Sequence, residues 1–402
     1  MPNTITNRTD TILSHAVGIS IMIAFLLPHN TPYLLLANPL IVIAFKLFNK
    51  NRFFYKNCLV VIIPILITLL INITQDISFK SIQRGLTILL YFLCFPFVGS
   101  VKVPRLYIYA TFIYIFISQF YTLLDIPALT NYINTYYPMS EYSEGAITYI
   151  DEHVTAENFN TYRHAGIFRN SNACAEALCM LLAFYLIYDS KEPTSLKVTI
   201  GLVMYYAIFI TGSRTGFIVS SFIIMSFLLF NDKYSTSLRL PIVAGVFIAA
   251  IVFFHQNMGD FRALDIQAGL ESSANSKMTT FLSYLSNENS PLKLLLGYWD
   301  SSIYRDIAEF NVMKSFDSDY GSIIFSYGFI GLISILLFFY GVYKEMSGTA
   351  RLFFVLILWM ATATIIKSYR MIFIFMLLLS IIYSNNNFQK KETQFSKNKA
   401  NA

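Results

Sequence analysis

Charge is scarce in this chain, and that scarcity narrows what the protein can be. Only 13% of its 402 residues are Asp, Glu, Lys or Arg, while 55% are hydrophobic. A soluble domain carries about 25% charged residues, so this composition points to a chain solvated mainly by lipid. The net charge of +6 is modest and its basic residues sit in short loops, which gives no sign of nucleic-acid binding. Cysteine is equally sparse. Cys58, Cys94, Cys174 and Cys179 all lie in apolar runs. None falls in a polar loop where a disulfide or zinc framework would form, so they read as small core residues. No small-residue cleavage site follows the polar start Met1–Asp10, so the first apolar run is expected to be a retained helix rather than a signal peptide. Nor is a short repeat visible, which argues against a solenoid.

What the chain has in quantity is apolar sequence in lengths that suit a bilayer, for which about 17–20 residues are needed. Twelve spans are expected, at 11–28, 32–48, 58–74, 85–101, 106–124, 171–188, 198–211, 215–230, 240–256, 321–341, 352–366 and 371–384. Only Gly212-Ser213-Arg214 separates 198–211 from 215–230, which read either as two tilted helices or as a pair with one partial span. The expected fold is an all-α polytopic integral membrane protein. A single transmembrane domain would cover 1–384, and the polar tail 385–402 would be disordered.

Lysine and arginine in the short loops orient these spans. One set of loops holds Lys46, Lys50, Arg52, Lys56, Lys102, Arg105, Lys191, Lys197, Lys233, Arg239, Lys344 and Arg351, and ends in a lysine-rich tail. With twelve spans, all of these fall on the cytoplasmic side with both termini. The opposite short loops hold only Lys80, Arg84, Arg214, Lys367 and Arg370. The two long polar segments, about 125–170 and 255–320, would then face outward. In the second of them Met278, Phe281, Leu282 and Leu285 recur at helical spacing, as in an amphipathic interfacial helix. The apolar patch Leu294–Trp299 that follows is suited to cover a site or dip into the membrane.

Arginines gather at the outward ends. Arg163 and Arg169 run into Asn170-Ser171-Asn172, three N-cap residue types that open the sixth span. A helix start with free N–H groups, a positive dipole end and two guanidinium forks suits a phosphate-like anion. The alternative is that these arginines pair with acids of their own loop, Asp151 or Glu157. Arg214 lies between two apolar helices and between Gly212 and Gly216, where it would either snorkel or meet a ligand that the glycines let approach. Arg370, Lys367 and Arg84 are lesser members of the outer set. Glu176, His164, Asp317 and Asp319 are the candidates for proton transfer. Glu176 sits in the first turns of a helix, and a loop histidine titrates near neutrality but is more often only solvated. Asp317-Ser318-Asp319 fits a base, a sugar-binding pair or helix-start caps. Both long loops are rich in tyrosine, Tyr132, Tyr136 and Tyr137 among them, which suits a membrane-interface belt or sugar stacking equally well.

Arg163-x-x-Gly166-x-Phe168-x-Asn170-x-Asn172-x-x-Ala175 resembles the R-x-x-G-x-F-x-N-P-N-x-x-A signature of the O-antigen ligase/polymerase superfamily, with Ser171 in place of the usual proline. Thr211-x-Ser213-Arg214-Thr215-Gly216 is similar to that superfamily's T-x-S-R-T/G-G element. Leu296-Gly297, Asp317-x-Asp319-Tyr320 and Tyr327-Gly328-x-x-Gly331-Leu332 resemble its closing pattern, and the set runs in order over about 160–335. The resemblance implies a glycosyltransferase-C-like membrane enzyme of the bacterial inner membrane with its active site facing the periplasm. It would need no metal, and would use a glycan donor and acceptor carried on undecaprenyl diphosphate. It also implies that Arg163, Arg169 and Arg214, with Arg370 as a lesser member, hold the diphosphate. Ligases of the superfamily bear a histidine in the closing motif. This chain has none there, which favours the repeat-unit polymerases and leaves the base to Asp319, His164 or Glu176. The membrane lipid and a chain-length regulator are the expected partners. The rival readings are a ligase that moves lipid-linked glycan to an acceptor, and a lipid-linked oligosaccharide flippase. A flippase would place ionisable groups near the bilayer midplane, where this sequence offers only His15 and Glu176.

Overall fold

The computed structural model describes residues 3–27, 57–72, 79–93, 103–124, 126–137, 163–188, 194–230, 285, 290–299, 319–359 and 369–400. Every regular element among them is helical. The helices are α1 (Asn3–Leu26), α2 (Cys58–Asn72), α3 (Phe79–Leu93), α4 (Arg105–Gln119), α5 (Tyr121–Leu124), α6 (Pro127–Tyr136), α7 (Ser171–Ile187), α8 (Thr194–Phe209), α9 (Arg214–Phe230), α10 (Pro291–Leu296), α11 (Asp319–Glu345), α12 (Val355–Trp359) and α13 (Tyr369–Ala400), with 3-10 segments at Gly166–Phe168 and Gly348–Phe354. The protein is all-α.

Helices α2, α7, α8 and α9 begin and end within four residues of the expected spans. In particular, α8 and α9 are two separate helices joined by a turn. Spans 32–48 and 240–256 lie outside the described residues. The segment Tyr320–Glu345 is long and apolar enough to cross a membrane, and the other apolar helices among the described residues are 10–17 residues long. Three expectations need correction. The helix expected from 85 starts at Phe79, so Lys80 and Arg84 lie within a helix instead of a loop. Phe79, Ile82 and Leu86 recur at helical spacing there, and this pattern extends the helix upstream. The segment 352–366 opens as a 3-10 stretch before α12. The tail also keeps its helix, because α13 runs to Ala400 without a Gly or Pro and through the good helix formers Gln, Lys and Glu.

The chain divides into two compact units, each assembled from segments distant in sequence. The first comprises Met1–Pro32, Lys102–Gly269 and Gly348–Leu358. Here α7 is the central helix, with α8, α9 and the Gly348–Phe354 segment packed around it. From Cys174 to Leu186 every residue of α7 is buried, Glu176 included, as a helix apolar on all its other faces requires. Helix α1 packs on α4, where His15 Nδ1 shares a hydrogen bond with Tyr107 Oη at 3.0 Å. Cys174 and Cys179 are buried and form no disulfide, and Cys179 Sγ donates to the Gly216 carbonyl at 3.6 Å.

The second unit comprises Tyr33–Val101, Leu270–Ser347 and Trp359–Ala402. Helix α11 packs on α2 and on the short α10, α2 packs on α3, and α3 packs on α13. Aromatic contacts knit it together, among them Phe92 with Phe338 at 5.1 Å and Phe339 with Phe375 at 5.6 Å between centroids. Helix α11 is broken at Gly328, whose φ of 66° and ψ of −176° are not helical. An unbroken helix would pair the Phe325 and Ser326 carbonyls with residues 329 and 330. They accept instead from the amides of Tyr298 and Trp299, at 2.8 and 2.7 Å. The two segments touch closely at glycines. A Cβ on Gly297 would overlap the Ser326 backbone, and one on Gly328 would overlap that of Leu295. Leu294–Trp299 therefore lies along the break in α11. Leu285 joins the same packing around Ile324 and Phe325, while Met278, Phe281 and Leu282 lie outside the described residues.

Candidate functional site

The start of α7 gathers most of the sequence-predicted residues. Ser171 is the first helical residue, and Asn170 is its N-cap in extended conformation. Asn170 Oδ1 accepts from the amides of Asn172 at 2.9 Å and Ala173 at 3.3 Å, and the Asn170 carbonyl accepts from Cys174 at 2.9 Å. This corrects the expectation of a helix start with free donors. The cap has taken two of the first-turn N–H groups, so any anion at this end must be held chiefly by side chains. Replacing Asn170 by alanine is expected to cost about 1 kcal/mol of stability, read from denaturant unfolding of the purified protein.

Arg163 precedes this start, and its Nη2 donates to Asn172 Oδ1 at 2.7 Å. Between the two arginines, Gly166–Phe168 forms a 3-10 turn docked on the end of α4. The Ile167 amide donates to Ser118 Oγ at 3.3 Å. Gly166, with φ of 52°, has no room for a Cβ beside Ser118 Oγ. Phe168, at 2% exposure, anchors the turn.

Arg169 is held in a way its position in the sequence does not reveal. Its backbone is left-handed, with φ of 56°, a conformation that costs a non-glycine residue of order 1–3 kcal/mol. Its guanidinium repays that strain through three neutral acceptors. Nε donates to the Tyr137 carbonyl at 3.0 Å, Nη1 to Tyr121 Oη at 2.8 Å, and Nη2 to Asn134 Oδ1. The guanidinium also stacks 5.6 Å from the centre of the Tyr121 ring. No carboxylate among the described residues pairs with it, so its charge is positioned but not neutralised there. Asp151 and Glu157, the loop acids considered as partners, lie outside the described residues. Tyr121 and Asn134 carry no motif. Tyr137 is buried at 2% and is itself fixed through its hydroxyl to the Leu26 carbonyl at 2.6 Å.

The Arg214 segment meets this one through the backbone, where the His164 amide donates to the Ile210 carbonyl at 3.3 Å. Thr211 Oγ1 donates to the Ile208 carbonyl at 2.6 Å and accepts from the Ser213 amide at 3.2 Å, closing α8. Gly212, with φ of 64°, makes the turn. Ser213 caps α9 by accepting from the Gly216 amide at 3.2 Å. Arg214 is the first residue of α9. His164 and Glu176 are each 4% exposed, so both acid–base candidates of this unit are buried rather than merely solvated.

Asp319 and Arg370 belong to the second unit. Asp319 is the first residue of α11, and Arg370, in the first turn of α13, is 4% exposed. Asp317 and Lys367 lie outside the described residues. Among the described residues no cluster of three or more His, Cys, Asp or Glu is placed to hold a metal ion. The chain matches no known family model and none of the curated proteins.

Proposed function

We propose that this chain is a polytopic membrane glycosyltransferase that polymerises oligosaccharide repeat units carried on undecaprenyl diphosphate, working on the outer face of the bacterial inner membrane. The observation that carries this reading is the meeting of the 163–169 and 210–214 segments at the start of α7. Those segments bear Arg163, Arg169 and Arg214, and the ordered motifs that resemble the O-antigen ligase/polymerase superfamily run through them. In this reading α11 and the shorter apolar helices cross the bilayer, twelve spans in all, and the arginines face the periplasm.

The chemistry asks for charge stabilisation at one oxygen. An acceptor sugar hydroxyl attacks the anomeric carbon, and the bond from that carbon to the diphosphate oxygen breaks. The electron pair passes to the diphosphate, and the hydroxyl proton passes to a base. Guanidinium groups fixed before the reaction stabilise the growing negative charge without reorganising. Arg169, whose acceptors among the described residues are all neutral, brings its positive charge. Asp319, His164 and Glu176 are the candidates for the base, of which His164 and Glu176 lie in the same unit as Arg163, Arg169 and Arg214.

Gel analysis of surface glycan from cells lacking the gene tests this directly. The expected result is a ladder that collapses to a single repeat unit and returns on complementation. Loss of even the single unit would replace the polymerase by a ligase or flippase, and an unchanged ladder would remove glycan assembly altogether.

A further inference from the structure

We infer that Gln119, the last residue of α4, is a positioning residue that sets the mutual placement of the arginine-bearing segments; this rests on the reading of those arginines as the diphosphate site. Gln119 is 1% exposed. Its side-chain amide reaches all three elements of the site. Nε2 donates to the His164 carbonyl at 3.3 Å, next to Arg163, and to the Ala207 carbonyl at 3.0 Å, near the end of the helix that leads to Arg214. It also lies 3.6 Å from Cys174 Sγ, in the first turns of α7. Ser118, its neighbour, docks the turn between Arg163 and Arg169.

The hydrogen bonding and the orientation of Gln119 both set it apart from ordinary core packing. Oε1 of Gln119 is buried and has no hydrogen-bond partner among the described residues. A half-satisfied buried amide is a costly way to stabilise a core, since the unmade bond forfeits the acceptor's hydration. Its two N–H groups are therefore retained for what they hold together. Turning the amide over would bring Oε1 against two carbonyl oxygens, so the observed direction is forced and the backbones of His164 and Ala207 are tied by one rigid group. With the His164 amide also bound to Ile210, the residue after Arg163 is held at both its backbone N–H and its carbonyl.

The test measures binding of inorganic pyrophosphate to the purified full chain in detergent by calorimetry, for wild type, Gln119→Met, Arg163→Ala and the double variant. Methionine keeps the length and bulk while removing both donors. The expected result is about a tenfold loss of affinity for Gln119→Met alone and less than about a threefold further loss in the Arg163→Ala background, because interacting residues are not additive. An unchanged affinity, or a tenfold loss in both backgrounds, would overturn the inference while leaving the diphosphate site in place. If wild type itself binds no pyrophosphate, the diphosphate reading falls first and this inference with it. Where Gln119→Met does not accumulate, Gln119→Glu has the same shape without N–H donors and is expected to lose at least as much.

Discussion

Replacing Arg214 by alanine is expected to lower polymer synthesis by about a hundredfold to a thousandfold, the range for removing one preorganised donor to a developing oxyanion, while the amount of protein in the membrane stays unchanged. The basis is what the neighbouring residues already do. Thr211 closes α8, Gly212 makes the turn and Ser213 caps α9. Gly216 offers its carbonyl to Cys179, so α9 lies close against α7. Each of these residues shapes the turn and the two helix ends beside it, and Arg214 is the charged residue that this turn places at the first position of α9. Lysine at this position should restore little activity, since an ammonium is a point charge and cannot make the paired contacts of a guanidinium fork. The surface-glycan ladder and a membrane immunoblot measure both quantities. Full activity in Arg214→Ala would remove the residue from the site, and full rescue by lysine would reduce its role to simple charge.

Gly328→Ala is expected to produce the largest loss of stability. Its backbone sits at φ of 66°, and its missing Cβ leaves the space filled by the Leu295 backbone. A left-handed non-glycine residue costs of order 1–3 kcal/mol, and forcing atoms into a filled space costs about as much again. The contact is with backbone rather than a flexible side chain, so no rotamer change relieves it. A combined loss of about 2–6 kcal/mol follows, enough to deplete the folded protein. Thermal unfolding of the purified variant against wild type measures it, and a melting temperature within a degree or two of wild type would show that Leu294–Trp299 can move aside freely.

Helices α2, α7, α8 and α9 and a cap within Asn170-Ser171-Asn172 were legible in the sequence because both are local. Apolar runs of the right length, an Asn-Ser-Asn start and glycines at turns act within a few residues of themselves. Gly297 and Gly328 were visible in the sequence as glycines but their close packing was not, because the contact joins two stretches of backbone, and backbone atoms leave no mark on residue choice beyond the glycine itself. Arg169 was found as a charge but not as a brace, since its acceptors lie 32, 48 and 35 residues away. Gln119 was hidden for the same reason. Two of its contacts are main-chain carbonyls 45 and 88 residues away, and any residue type can supply a carbonyl. The only trace was a glutamine in the apolar run Phe-Ile-Ser-Gln-Phe-Tyr. The helical tail was missed because a polar composition was taken to imply disorder, although Gln, Lys and Glu also favour helix.

The pairing of Leu294–Trp299 with the break in α11 makes two distant parts of the sequence one cooperative element. If the Tyr298 and Trp299 amides leave Phe325 and Ser326, those carbonyls lose their partners, and the helix must either straighten or expose them. If α11 straightens through Gly328, the carbonyls turn to residues 329 and 330, and the Leu294–Trp299 chain loses its hold. Neither change can proceed far without the other. Hydrogen exchange would see this as a single opening event, with the amides of Tyr298 and Trp299 losing protection at the same rate.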